Sequence, residues 1–134
     1  MSEIPMLEEH EFWHIVGLAK HDRPAFWARL YALSRDELIE LRELHNETAA
    51  TLKYEPYSDA MGDNRSEDAI DDIATWVVLQ GKEYFDKVVE DPSLIPENVR
   101  AEYMKDPFHI SGAVIQVHRE RFGVPPWADR TRER

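Results

Sequence analysis

The chain of 134 residues contains no cysteine, which excludes disulfides, thiolate chemistry and cysteine metal sites, and its length fits one domain whose core needs no such cross-links. Its formal net charge of -11 at pH 7 argues against nucleic acid or an anionic membrane as the partner, because phosphate binding requires a basic surface. Its start has no signal-peptide pattern, and no apolar run approaches the ~20 residues that span a bilayer, so we expect a cytoplasmic protein.

The first half of the chain predicts three amphipathic helices. Apolar residues recur at helical spacing over 8–20, 22–33 and 34–53. Asp22 stands before Pro24, and a proline near a helix start is well tolerated because its missing N–H would be unpaired there. Ser34 and Glu37 have the spacing of a capping box, in which each side chain satisfies a backbone N–H near the helix start. These signals indicate where the second and third helices begin.

The segment 66–80 is predicted to be a central, buried helix. Ser66 has the chemistry of an N-cap, and Glu67 and Asp68 put negative charge in the first turn, where unpaired N–H groups and the helix dipole favour it. The second half of the segment is apolar on every side, which is typical of a helix enclosed by its neighbours. Gly81 then breaks the helix, and a shorter amphipathic helix follows it.

The rest of the chain predicts two more short helices and no strand. They cover 96–104 and 111–122, and Ser111 has the chemistry of an N-cap for the second of them. Gly123 ends that helix, and no stretch shows the sustained alternation that a strand requires. The sequence therefore predicts an all-α bundle of about six helices around the central helix. The chain divides into a lead (1–8), a helical domain (9–123) and a polar, basic tail (124–134).

One pattern in the first helix looks like catalytic chemistry. His10, Glu11 and His14 form a literal HExxH motif, in which one helix face offers two imidazoles to zinc and the Glu serves as general base. His21 falls on the same face. Only nine residues precede His10, too few to build the sheet that shapes the substrate cleft of such zinc hydrolases. We therefore expect an exposed face that carries histidines and no cofactor, and keep a zinc site at His10, His14 and His21 as a remote alternative.

Carboxylates concentrate before and at the start of the central helix. The candidate binding residues there are Asp59, Asp63, Glu67, Asp68, Asp71, Asp72 and Trp76. Glu67 and Asp71 are four residues apart, as are Asp68 and Asp72, so they project in pairs that could hold a divalent cation or take part in acid/base chemistry. The favourable electrostatics of a helix start, together with a solvated surface, accounts for the same pattern without a ligand.

Two further features concern histidine and aromatic residues. His45 lies on the apolar face of the third helix, where we expect a hydrogen-bonded core histidine. Tyr54, Tyr57 and Trp76 would make an aromatic, acidic pocket for a cationic ligand if they gather near the acidic residues. Aromatic residues at such spacing are more often part of the core.

Several motifs resemble a known family. Phe12 and Trp13 in the opening helix, and the run SEDAIDDIATWVVLQGKEYF over 66–85, resemble DUF4240, a bacterial domain of unknown function. The matching positions of the central motif are Ser66, Glu67, Asp68, Ile70, Trp76, Val77, Val78, Gln80, Gly81, Lys82 and Glu83. The chain departs from the family at Ala74, where an Arg is common. The resemblance spans about 11–94 and implies a compact helical bacterial domain, and it brings no known reaction.

The sequence favours one function and leaves two alternatives. The favoured hypothesis is a non-enzymatic interaction domain of immunity or regulatory type, whose acidic surface, centred on 59–72, holds a basic protein partner. The first alternative is a small-molecule or divalent-metal site at the acidic start of the central helix. The remote alternative is zinc hydrolysis by the HExxH motif.

Overall fold

The computed structural model describes residues 7–62 and 66–128. The described residues form no strand, and their α-helices are α1 (Glu9–His21), α2 (Arg23–Ala32), α3 (Arg35–Ala50), α4 (Glu67–Leu79), α5 (Lys82–Glu90), α6 (Val99–Lys105) and α7 (Ile110–Phe122). Short 3-10 helices cover Asp59–Met61 and Pro92–Leu94. The prediction of an all-α fold is confirmed. None of the helices in these ranges has both the length and the apolar composition that crossing a membrane requires.

Local signals in the sequence start α3 and α4 and separate α4 from α5, as predicted. The capping box is present at the start of α3: Ser34 Oγ accepts from the Glu37 N–H at 3.1 Å, and Glu37 Oε1 accepts from the Ser34 N–H at 2.8 Å. Ser66 Oγ accepts from the Ala69 N–H at 3.2 Å and begins α4. Gly81 separates α4 from α5 with a φ of 108°, a conformation that L side chains rarely adopt.

Helix α4 lies at the centre of the bundle, as predicted. It packs against α1, α3, α5 and α6, while α7 packs chiefly against α3 and α2 chiefly against α1. The buried residues of α4 are Ala69, Ile73, Ala74, Thr75, Val77 and Val78. A helix with four neighbours needs apolar side chains on several faces, which explains why its sequence lacks a clean polar side.

The start of α7 differs from the prediction. Ser111 does not cap the helix, which begins at Ile110 with His109 in the N-cap position and no side-chain cap. Instead Ser111 is buried where α7 packs on α3, and its Oγ donates to Asn46 Oδ1 at 2.5 Å. Ser111 therefore lies inside the helix, and its hydroxyl donates to the neighbouring helix instead of accepting from the backbone of its own first turn.

Both ends of the described chain pack against the helical body. Leu7, which belongs to the predicted lead, is buried, and its N–H donates to Glu40 Oε1 at 2.7 Å. At the other end, Val124 O accepts from His118 Nδ1 at 2.5 Å. The start of the predicted tail therefore contacts the bundle, and its remainder, 129–134, lies outside the described residues.

Candidate interaction site at the start of α4

Asp71, one of the predicted acidic residues, joins α4 to the turn after α3 and to the residue before α7. Its Oδ1 accepts from Lys53 Nζ at 2.7 Å, and its Oδ2 lies 3.6 Å from His109 Nε2. Burial works to raise the pKa of Asp71, but the hydrogen bond and charge of Lys53, with His109, outweigh it and lower that pKa overall. This carboxylate is therefore held ionised between the end of α3 and the residue before α7.

Asp72 makes a second ion pair in a different direction. Arg100 Nε donates to Asp72 Oδ2 at 3.1 Å and links α4 to α6. Tyr103, on the same short helix, is buried, and that burial, followed by the charges of Asp72 and Asp71, raises the pKa of its hydroxyl. Two of the four helix carboxylates, one from each predicted pair, thus form ion pairs that join α4 to other parts of the fold.

The other two carboxylates of the helix start, Glu67 and Asp68, are exposed and line a groove. We call it the acidic groove; it has a volume of about 450 Å³ and is lined by Lys53, Tyr54, Glu67, Asp68, Ile70 and Asp71. Tyr54 is 71% exposed, so its ring stands at the surface beside these carboxylates. The acidic groove therefore combines negative charge with an exposed aromatic ring.

The remaining candidates lie elsewhere. Trp76 is half-buried and packs edge-on against Tyr84 with ring centroids 6.0 Å apart, and it does not line the acidic groove. The Tyr57 hydroxyl donates to Val89 O at 2.8 Å, which ties that ring to α5. Asp59 opens the 3-10 helix and also lies outside the groove lining, while Asp63 is outside the described residues. Of the three aromatic residues expected to gather here, Tyr54 lines the groove, whereas Tyr57 and Trp76 do not.

Among the described residues, the histidines of the HExxH motif belong to no cluster that could hold a metal ion. Across 7–62 and 66–128, no group of three or more His, Asp or Glu side chains is arranged to hold a metal ion. His10, His14 and His21 are all exposed on α1. Glu11, the general base of the motif, forms an ion pair with Arg29 of α2. That ion pair gives Glu11 a structural role in joining the first two helices.

A polar cluster that the sequence did not reveal lies behind Asp71. His45 is buried, as predicted, with its Nδ1 3.3 Å from Ser111 Oγ and its ring centroid 5.3 Å from that of His109. Because the single hydroxyl hydrogen of Ser111 is donated to Asn46, His45 Nδ1–H must be the donor in this contact. Burial, followed by the charge of His109, lowers the pKa of His45 to about 4.

No local signal could have predicted this cluster. His45 and Asn46 are on α3, whereas His109 and Ser111 are at the start of α7, and only the packing of those two helices brings them together. The side chains of the cluster continue through His109 to Asp71 and so connect the acidic groove with the interior of the bundle.

Comparison with protein-family models matches residues 7–117 to a family described as "Protein of unknown function (DUF4240)". This range extends the resemblance seen in the sequence at both ends and includes the opening helix, the central motif and the first part of α7. Comparison with curated proteins and with solved structures finds no match to the chain. Since the family model covers well over half of the residues, the chain belongs to the DUF4240 family.

Proposed function

We propose that this protein is a non-enzymatic, cytoplasmic interaction module, of immunity or regulatory type, whose acidic groove holds a basic protein partner. The observation that carries the proposal is the exposure of Glu67 and Asp68 beside the exposed ring of Tyr54. Tyrosine is enriched at protein interfaces, since it contributes contact area at a low cost in conformational entropy, and carboxylates beside it attract Lys and Arg.

The carboxylates of α4 differ in their surroundings, and this difference supports the proposal. Both carboxylates are occupied by cations of the same chain, Lys53 and Arg100. Glu67 and Asp68 lie a turn earlier, at the exposed end of the helix, where a partner can approach. The formal net charge of -11 adds long-range attraction for a basic protein and speeds its association.

The test is site-specific photocrosslinking in cells from position 54. Benzoylphenylalanine in place of Tyr54 should crosslink a basic protein, and charge reversal by Glu67→Lys and Asp68→Lys in the same chain should abolish the product. Raising the salt concentration should weaken the complex, because exposed charge pairs are screened. As matched controls, benzoylphenylalanine at the exposed Met104 should give no product, and Glu90→Lys with Glu97→Lys should leave the product unchanged.

Crosslinking that persists after charge reversal and is insensitive to salt would contradict the proposal. Asp71 and Asp72 are poor sites for this test, since reversing either would break an ion pair that the fold itself uses.

A small cationic molecule is the second candidate ligand for the same groove. The volume of about 450 Å³ favours it, because small-molecule pockets typically measure ~300–1,000 Å³. A panel of organic amines, titrated against the protein while the Tyr54 ring resonances are followed by NMR, should then show saturable binding that Asp68→Asn removes. A divalent cation has less support, since one member of each predicted carboxylate pair is already in an ion pair: Asp71 with Lys53 and Asp72 with Arg100.

A further inference from the structure

A second groove lies between α1, α3 and α5. We call it the aromatic groove; it has a volume of about 600 Å³, and its apolar lining comprises Leu7, Phe12, Trp13, Leu44 and Phe85. The Trp13 ring centroid lies 4.9 Å from that of Phe12 and 5.6 Å from that of Phe85, so the three rings form a continuous floor. Trp13, Leu44 and Phe85 are only partly buried, so the bundle leaves part of this floor accessible.

The rim of the aromatic groove is negatively charged. Its ionisable lining residues are Glu8, Glu9, Glu47, Asp86 and Lys82. Lys82 Nζ donates to Asp86 Oδ2 at 2.6 Å, so the single ammonium group among the described lining residues is already paired with one of their four carboxylates. Glu8, Glu9 and Glu47 are exposed around the apolar floor. An occupant that buries the floor therefore gains if it brings positive charge to the rim.

We propose that the aromatic groove binds an amphipathic helix of a partner protein, with apolar anchors on the floor and Lys or Arg side chains against the rim. Recognition of a helix in a groove uses apolar residues at positions i, i+3 or i+4, and i+7, and its affinity comes from burying those anchors. The rim of carboxylates selects helices flanked by basic residues over those flanked by acidic ones.

This inference goes beyond the proposed function, because none of the residues of the aromatic groove belongs to α4. The two grooves are nonetheless close: Thr51 lines the aromatic groove and Lys53 lines the acidic groove, at the same end of α3. One basic partner can therefore occupy both, with a helix in the aromatic groove and a basic surface against Glu67 and Asp68.

The experiment uses the full chain, labelled with ¹⁵N, and two synthetic 14-residue helical peptides as probes. Both peptides carry the same stripe of Leu; one has Lys and the other Glu at all remaining positions. We expect the Leu-Lys peptide to shift the Trp13 indole resonance and the Glu47 and Lys82 amides saturably. The Leu-Glu peptide should leave them in place, since its charges oppose the rim.

Charge reversal in the protein gives the matched comparison. Glu9→Lys with Glu47→Lys should weaken binding of the Leu-Lys peptide by about tenfold or more, while the same change in charge at Glu67→Lys with Asp68→Lys should have a much smaller effect. Equal weakening by both double variants would overturn the inference, because it would indicate general attraction to an acidic protein. Peptide-induced shifts confined to the surroundings of Tyr54 would overturn it as well.

Two other occupants of the aromatic groove would also overturn the inference that it binds a partner helix. If the Trp13 resonance shifts on concentrating the protein without peptide, the groove is covered by a second copy of the chain. If Ile4→Lys with Met6→Lys moves the Trp13 resonance of the free protein and strengthens peptide binding, the groove is covered by the chain's own first residues. Any of these failures leaves the crosslinking test at Tyr54 standing, so the two proposals fail separately.

Discussion

The acidic groove and the aromatic groove flank the same end of α3, but they are constructed in opposite ways. The acidic groove takes most of its charge from the first turns of one helix, and part of that charge is used within the fold, where Asp71 binds Lys53. The aromatic groove takes its lining from three helices, and its floor is the edge of the core: Phe12 is 2% exposed, while Trp13 beside it is half-buried.

This difference shows that a cluster of charge in a sequence is a poor guide to how much of that charge stays free at the surface. Of the four carboxylates that lie close together in α4, two form ion pairs within the fold and two remain exposed. An accessible apolar floor arises where core side chains from different helices reach the edge of the bundle, and it leaves no continuous pattern in the chain.

The largest expected effect tests whether the floor of the aromatic groove belongs to the core. Phe12→Ala should lower the free energy of unfolding by about 3–5 kcal/mol, because it removes a buried ring and leaves a cavity. Phe85→Ala, in the same floor but only partly buried, should cost clearly less. Urea unfolding of both variants measures the difference. Equal losses would show that the floor has no exposed edge, which would break the contrast between the two grooves.

The second effect concerns pH and the polar cluster behind the acidic groove. The pKa of His45 falls from 6.5 to about 4 in the folded chain. In that window the unfolded chain binds more protons than the folded one, so stability decreases as pH falls, by at most about 1.4 kcal/mol per pH unit. The stability that the fold keeps while His45 is neutral is therefore fully present above pH 6.5, and it is lost progressively as pH falls toward about 4.

Urea unfolding as a function of pH checks this slope. His45→Gln should make stability depend less on pH between about 4 and 6.5. His14→Gln, at an exposed position, should leave that pH dependence unchanged. Asp71 acts at lower pH: its folded pKa lies below the ordinary 3.8, so its contribution is present above that value and is lost only as pH falls further. An unchanged slope in His45→Gln would show that His45 is not the titrating group.

A smaller effect separates the two kinds of carboxylate in the acidic groove. Asp71→Asn should lower stability by about 1 kcal/mol, because it removes a partly exposed, charged hydrogen bond from Lys53. Glu67→Gln should change stability by less than about 0.5 kcal/mol, as expected of an exposed side chain. Thermal unfolding of both variants provides the comparison, and a larger loss in Glu67→Gln would reverse the assigned roles.

The smallest expected effect concerns the histidines of α1. His10→Ala and His14→Ala should each change stability by less than about 0.5 kcal/mol, because both side chains are exposed. Elemental analysis of untagged protein, purified without chelator, accompanies the unfolding measurement. One tightly held zinc that is lost in His14→Ala would restore the metal site as a hypothesis; hydrolysis at that site would further require Glu11, its general base, to leave the ion pair with Arg29.

Much of the fold could be predicted from the sequence, because helix boundaries depend on residues close together in the chain. The capping box of Ser34 and Glu37, the N-cap Ser66 and the glycine breaks at Gly81 and Gly123 all act within a few positions, and each is found where the sequence placed it. Ser111 is the exception: its local chemistry indicated a cap, but the residue lies within α7 and its hydroxyl donates to Asn46 of α3.

The candidate sites were predicted less completely. The sequence indicated Glu67, Asp68, Asp71 and Asp72 as one group, and it contained no sign that Lys53 and Arg100 would bind two of them. Nor did it indicate that Trp13 and Phe85, which lie on helices far apart in the chain, would share a groove. These contacts depend on how the helices pack, and periodicity within one helix does not specify its neighbour.

By itself, then, the sequence determined the all-α class, the central position of α4, the family motif and the acidic character of the surface, because all four follow from residue type and short-range spacing. The tertiary structure alone decided which carboxylates are paired, which histidine is buried beside another, and where aromatic side chains reach the surface. The physical reason is that charge and burial energies depend on distances in space, and helix packing sets those distances between residues that are remote in the chain.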